Sequence, residues 1–298
     1  MKTIIARNVN DALQQGISLV KVYGEEINSR VGMTLEIPCP VATTYQRPWE
    51  RVLINKERDA NPFFHLMESL WILAGRKDAK FLCEFNKRMV DYSDDGKVFN
   101  APYGHRLRNW LYDYDAQSED QITEIIEILK RDPNSRQAVA QIWDTEDLTN
   151  KTTKDKACNM SIVFRIRNGR LCMVVYNRSN DMIWGAYGAN SVQFSMIQEY
   201  VAASIGVPMG EYTQVTNSYH VYTEGVGGEV WNRIKDQSIT CENVYVGLPD
   251  LVSMRHEQMP EFEHDLKHGA NEALNQVFKI KSDDWAKGCY QWLKARVK

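Results

Sequence analysis

The sequence predicts a mixed fold in which helices and antiparallel strands share one chain. Two observations predict it: several stretches repeat apolar residues at the three- and four-residue spacing of a helix face, and one Asn-Gly pair separates two alternating segments. In chain order, NPFFHLMESLWILAGR comes first, with Phe64, Met67, Leu70, Trp71 and Leu73 on one stripe, Pro62 near its start and Gly75 as its stop. Glu68 is the acid on that helix. QITEIIEILKRDPNSR follows as a helix with a polar face, ending before Pro133. Next, SIVFRIR and RLCMVVYNR flank Asn168-Gly169, a pair suited to a two-residue hairpin turn because both positions adopt positive φ. Ile162, Phe164 and Ile166 alternate on one strand, and Leu171, Met173 and Val175 on the other. SVQFSMIQEYVAASIG closes the series as a helix with Phe194, Ile197, Val201 and Ile205 to one side and Gly206 past its end.

Composition narrows the function. At 298 residues the chain is near the upper end of what one core supports, and no repeat or Pro/Ser-rich linker divides it, so a single domain over 1–298 is expected. The 36 basic and 39 acidic side chains, a formal charge of −3, form no block that would grip a polyanion, so nucleic acid is not an expected partner. The N-terminal MKTIIARNVNDALQQG reaches Arg7 and Asn8 after a short apolar pair, and no later run approaches the ~18 residues of a membrane span. An unprocessed cytoplasmic protein with no membrane partner is expected. Cys39, Cys83, Cys158, Cys172, Cys241 and Cys289 contain no Cys-x-x-Cys pair, which favours reduced thiols over disulfides or zinc. Each thiol is either core filler or chemistry. His264 and His268 have the i,i+4 spacing of a metal pair, but Asp265 and Lys267 mark a solvated face and no third ligand presents itself, so no metal is expected.

The segment YNRSNDMIWGAYGAN, Tyr176 to Asn190, crowds polar side chains around a tryptophan and glycines. Pairing outward from Asn168-Gly169 without a bulge sets Cys158 opposite Ser179, beside Arg178, since cross-strand neighbours lie ~4.5–5.5 Å apart. A fixed positive charge lowers a thiol's pKa, the thiolate is the nucleophile, and the arginine fork grips phosphate. That cluster suits a small anionic substrate. The plainer reading is a packing cysteine beside a surface arginine at a strand end.

ACNMSIVF, the hairpin, YNRSND, Gly185, Asn190 and the later SYHVY, in this order and near these intervals, resemble the thymidylate synthase superfamily. MESLWILAG, NAPYGHRLRNW, DPNSRQAVAQIW and NSRVG resemble its upstream segments, so the match runs from about Arg30 to Tyr222. The resemblance implies an α+β fold: a large twisted mixed sheet backed by helices, packed sheet to sheet in a homodimer. It implies that Cys158 adds to C6 of a pyrimidine nucleotide monophosphate, so that C5 can attack the one-carbon unit of the co-substrate 5,10-methylenetetrahydrofolate. Glu68 becomes the general acid/base acting through water, and Tyr103 helps organise that water. Arg30, Arg178, Ser179 and Arg136 hold the 5′-phosphate, Arg136 reaching across from the second subunit. His220 and Tyr222 take the sugar hydroxyl, Asp181 the pterin of folate, and Asn190 the base edge. Apart from the resemblance, His220 and Tyr222 read equally as half-buried strand residues, while Glu68 is awkward to bury without a role.

Departures from the synthases are informative. Asn159 stands where a histidine usually follows the nucleophile, Gln137 where a second arginine follows Arg136, and Asn177 where a glutamine precedes Arg-Ser. One extra residue separates Gly185 from Asn190, which leaves the equivalence of Asn190 open. WAKGCYQWLKARVK does not look like the tail that closes over folate, and no tryptophan lies between Trp71 and Trp110, where synthases shield the reacting methylene. Water then competes with hydride for that methylene. The resemblance is therefore closest to the phage-type nucleotide hydroxymethylases, which would work in the host-cell cytoplasm, with dCMP the favoured substrate. An asparagine offers both donor and acceptor, so Asn190 alone does not choose cytosine over uracil. A divergent thymidylate synthase, a dUMP or CMP hydroxymethylase and a non-catalytic nucleotide-binding relative stay open. The last predicts loss of Cys158, Glu68 and Tyr103, all of which are present. A cysteine hydrolase needs a histidine beside Cys158, and the sequence shows no local sign of one.

Overall fold

The structure, a computed structural model, describes residues 1–51, 53, 55, 57–111 and 118–237. In chain order the elements are β1 (Lys2–Ala6), α1 (Val9–Tyr23), β2 (Glu25–Ser29), β3 (Gly32–Glu36), β4 (Val41–Tyr45), α2 (Pro62–Leu73), α3 (Ala79–Phe85) and a 3₁₀ turn over Lys87–Tyr92. Then come α4 (Tyr103–Arg108), β5 (Trp110–Leu111), β6 (Ser118–Glu119), α5 (Gln121–Arg131), β7 (Val139–Gln141), α6 (Glu146–Thr149), β8 (Asn159–Arg167) and β9 (Arg170–Asp181). A π-helix over Met182–Ala189, α7 (Asn190–Ile205), β10 (Met209–Tyr222) and α8 (Gly225–Ile234) follow. An eight-stranded sheet runs β1-β4-β10-β9-β8-β7, with β3 also on β10 and β2 on β3. It is mixed: β1 with β4 and β9 with β10 are parallel, the other pairs antiparallel.

One sheet face is apolar and lies under the helices. Ile162 and Phe164 of β8, and Leu171, Met173 and Val175 of β9, are fully buried against α7 and its neighbours. Helix α2 begins as expected, with Asn61 capping the Phe64 N–H at 3.0 Å and Pro62 in the first turn. Gly75 follows its end with φ +67°. Helix α5 buries Ile122, Ile125, Ile126 and Leu129 and leaves its polar face out. Helix α7 departs from its expected one-sided pattern, because every residue from Asn190 to Ser204 is buried, Glu199 included. Glu199 meets the buried Arg51 guanidinium there.

The hairpin between β8 and β9 forms on Asn168 and Gly169, with φ of 50° and 70°. Its register holds from Arg167 opposite Arg170 to Ser161 opposite Tyr176, and then slips so that Asn159 faces Asn177. Met160 is the inserted residue, and its carbonyl accepts from both the Ile142 and Trp143 N–H groups at 2.8 and 3.0 Å. The bulge corrects the predicted pairing of Cys158 with Ser179. Cys158 instead lies opposite Arg178, whose N–H donates to the Cys158 carbonyl at 3.0 Å. Among the described residues Cys39, Cys83, Cys158 and Cys172 are free thiols. No helix among them is long and apolar enough to cross a membrane, and no cluster of three potential metal ligands occurs. Cys241, Cys289, His264, His268 and the segment WAKGCYQWLKARVK lie outside the described residues.

Candidate active site

Cys158 sits half-buried at the entrance to β8, where the bulge turns it towards Arg178. The Arg178 guanidinium is fixed from behind, donating from Nε to the Ala157 carbonyl at 2.8 Å and from Nη2 to the Lys156 carbonyl at 3.3 Å. The same Nη2 stands 3.6 Å from the Cys158 Sγ. Burial pushes the thiol above its ordinary range; Arg178 pulls it part of the way back and Asp155 opposes that. The expectation of a thiol lowered by a fixed charge is thus half met, since the charge is in place but desolvation outweighs it. Tyr103 locks the other side, its hydroxyl accepting the Cys158 N–H at 3.3 Å. Burial, and then Cys158, raise its own ionisation far above the usual phenol range. Tyr103 reaches this place because Gly104 lets α4 abut α2: a Cβ there would stand 2.2 Å from the Ile72 carbonyl oxygen.

Glu68 projects from α2 towards α7 and is hydrogen-bonded by the Gln193 side chain. Burial raises its carboxyl from 4.5 to about 7, the Gln193 contact lowering it only in part. Two acceptor atoms there lack partners among the described residues, Glu68 Oε2 and Gln193 Oε1, and both are inaccessible to bulk solvent. Phe194, the neighbour of Gln193, lies ring to ring with Tyr103 at 6.2 Å. Gln193 was not singled out from the sequence, although it stands one helical turn after Asn190 and so shares its face.

The sugar and folate candidates gather at the ends of β9 and β10. His220 pairs in register with Asp181 and packs edge to face on Tyr222 at 5.3 Å. Burial raises the Tyr222 phenol, Asp181 and Cys158 raise it further, and Arg30 opposes them, so these four groups feel one another. Arg30 itself is exposed at the turn between β2 and β3, and Ser179 lies beside Ser218 in the β9–β10 ladder. Asp181 caps the π-helix, one oxygen accepting the Ile183 and Trp184 N–H groups at 2.7 and 2.6 Å, while Oδ2 is buried and has no partner among the described residues. Burial raises this carboxyl, with the Trp184 N–H and then His220 as the main opposing influences. Arg58, four per cent exposed, lies 4.3 Å over the Trp184 ring and donates to the Ile183 carbonyl at 3.0 Å. Arg58 was not foreseen, because the stretch before α2 has no periodic signal, and the tryptophan of the polar segment, Trp184, was noticed without a role. Arg136 is exposed in the loop before β7, and no hydrogen bond or ion pair ties its side chain to this cluster among the described residues.

The stretch between Gly185 and Asn190 that carries the extra residue lies in the π-helical segment Met182–Ala189, which is kinked at Gly188. Gly188 takes φ −107° and ψ −112° within it. Asn190 enters α7 with its amide against Asn180, donating to Oδ1 at 3.2 Å. Asn159 and Asn177, the substitutes for the family's histidine and glutamine, bond to each other inside the sheet, and Asn177 donates on to Thr216 at 3.2 Å.

This arrangement can present a thiol to an electrophilic carbon beside an anion, and it holds on α2 a buried carboxyl that changes charge near neutrality. The chain is 48% identical over 225 residues to the deoxyuridylate hydroxymethyltransferase of Pseudomonas phage M6, covering 75% of this chain and 62% of that protein. It is 46% identical over 249 residues to the deoxyuridylate hydroxymethyltransferase of Bacillus phage SP01, covering 81% and 64%. The chain thus spans under two thirds of the length of these phage relatives. A putative thymidylate synthase of Methanosarcina acetivorans is 29% identical over 230 residues, covering 74% and 89%. The thymidylate synthase family profile matches residues 50–284, which include the helix of Glu68, the Tyr103 segment, Cys158 and the hairpin beyond it, and the chain belongs to that family.

Proposed function

We propose that the chain adds a hydroxymethyl group to C5 of deoxyuridine 5′-monophosphate, with methylenetetrahydrofolate as one-carbon donor and water as the final nucleophile. The observation that carries this reading is the Glu68–Gln193 pair: a carboxyl held at about 7 whose buried Oε2, together with Gln193 Oε1, has no partner among the described residues. Two such acceptors suit a water molecule, which would donate both protons to them and keep its lone pairs for attack. The two phage relatives favour uracil, where the sequence had favoured cytosine.

Arg178, Ser179 and Arg30 hold the 5′-phosphate, and His220 and Tyr222 the deoxyribose hydroxyl. Cys158 Sγ forms a bond to C6, which Arg178 assists by favouring the thiolate. Folate, when bound, would supply the one-carbon unit to C5, and loss of the C5 proton with departure of tetrahydrofolate would leave an exocyclic double bond there. The unpartnered Asp181 Oδ2 suits the N–H edge of a pterin, and the half-exposed Trp184 ring, backed by Arg58, offers a flat apolar wall. Water held by Glu68 and Gln193 then bonds to the exocyclic carbon on C5. Its proton passes to Glu68, the electron pair of the exocyclic double bond returns through C5, and C6–S breaks to release the thiolate.

Cys158→Ser is the direct probe of this chemistry, since a serine hydroxyl is hardly ionised near neutrality. The variant is expected to fold and bind nucleotide yet lose turnover almost wholly. In the wild type, a 5-fluoropyrimidine deoxynucleotide with folate should leave a covalent adduct that peptide mapping finds on Cys158. An adduct on any other cysteine, or turnover by the serine variant, removes the mechanism.

A homodimer completes the reading. The sheet face away from the helices carries the exposed side chains Val139 and Tyr176, which fits a second sheet packed on it. Arg136, exposed and without a hydrogen bond or ion pair of its side chain among the described residues, is then placed to serve the partner's phosphate.

A further inference from the structure

A run of hydrogen bonds behind Asn190 has only one permitted polarity. The Ala186 carbonyl accepts from the Tyr45 hydroxyl at 2.8 Å and from Gln214 Nε2 at 3.0 Å. The one hydroxyl proton of Tyr45 is spent there, so its oxygen accepts from Gln214 Nε2, also at 3.0 Å. Both partners on this side of Gln214 are acceptors only, which forces its amide nitrogen towards them and its Oε1 away. Oε1 accepts from Asn180 Nδ2 at 2.9 Å, and Asn180 therefore turns Oδ1 to Asn190, whose Nδ2 donates at 3.2 Å. The orientation of a side-chain amide is ordinarily a matter of assignment. Here a backbone carbonyl, which cannot donate, dictates it through Gln214 and Asn180 to Asn190.

The relay is buried and closely fitted. Gln214 is 1% exposed, Tyr45 2%, Asn180 4% and Asn190 8%. Gly185 makes room for it, since a Cβ there would stand 2.0 Å from Asn180 Oδ1.

We propose that Asn180 and Gln214 determine base specificity by locking the Asn190 amide in one orientation, so that the pocket accepts uracil and rejects cytosine. This rests on the functional reading above and on the role that the family resemblance implies for Asn190, at the base edge. Uracil sets an N3–H donor beside the O4 acceptor; cytosine sets an N3 acceptor beside the N4 amino donor. An amide free to turn over serves both edges. A locked amide serves one and meets the other donor to donor and acceptor to acceptor.

The test is calorimetric titration of dUMP and dCMP into the wild-type chain and Asn180→Leu, with thermal melting as the check on folding. The wild type is expected to bind dUMP at least about tenfold more tightly than dCMP, the scale of one two-point base contact. Asn180→Leu should bring the two affinities close to parity, a change in ratio that general loosening of the pocket would not produce. Gln214→Met breaks the same relay at another link and replaces Asn180→Leu should that variant not fold. Tyr45→Phe should keep the wild-type ratio, because the Ala186 carbonyl alone still enforces the polarity. Unchanged ratios in the folded relay variants, or a wild type indifferent to the base, overturn the proposal. A wild type that discriminates in binding but forms no hydroxymethylated product leaves the relay standing and sinks the functional reading instead.

Discussion

At the scale of the residue, the site depends on where desolvation and fixed charge act on single groups. Glu68 is the clearest case, its carboxyl raised from 4.5 to about 7 by burial. The folded pKa lies above the unfolded one, so between these values the folded chain holds a proton that the unfolded chain has released. Stability therefore falls as pH rises from about 4.5 to about 7 and is level above that. Glu68→Gln removes the penalty, and the variant should exceed the wild type by roughly 1–3 kcal/mol near pH 8, with no gain near pH 4. Urea unfolding at the two pH values measures this, and an equal difference at both would contradict a buried, raised carboxyl. Glu68 was legible in the sequence because a lone acid on an apolar helix stripe is conspicuous. Gln193, its partner, was not: a neutral amide on a helix that looked one-sided carried no charge to explain.

At the scale of the element, local patterns were legible and their irregularities were not. The Asn168-Gly169 turn and the ends of α2, α5 and α7 follow from turn chemistry, prolines and C-terminal glycines. The bulge at Met160 depends on β7 arriving to give that residue's carbonyl two N–H donors, a long-range event that no window of β8 and β9 contains. The kinked π-helical segment Met182–Ala189 is another irregularity, in a stretch where the sequence displayed only a count of one residue more. Helix α7 is the strongest override, since burial on all sides carries Glu199 into the core, where Arg51 neutralises it. Removing one partner of such a pair leaves a buried charge, so Glu199→Leu should lower unfolding free energy by about 3–5 kcal/mol. Arg51→Met combined with Glu199→Leu should recover most of that loss in denaturant titration. A single variant within about 1 kcal/mol of the wild type would show that the pair is not desolvated.

At the scale of the whole molecule, the mixed sheet sets the strand ends that carry Cys158, Arg178, Asp181, His220 and Tyr222 against the helices that carry Glu68, Tyr103 and Asn190. Arg136 lies apart from them, and on the dimer reading two inactive chains should complement each other. Mixing Cys158→Ser with Arg136→Ala should restore part of the activity, because one site of the mixed dimer has both residues intact. No restoration under proven subunit exchange would mean that each chain holds its own phosphate. The central claim is that water, not hydride, ends the reaction. The most direct measurement is turnover of dUMP with methylenetetrahydrofolate in heavy-oxygen water, with product mass and folate absorbance followed together. The account predicts a 5-hydroxymethyl nucleotide carrying one solvent oxygen, and no dihydrofolate. A methylated product with an equivalent of dihydrofolate would contradict it.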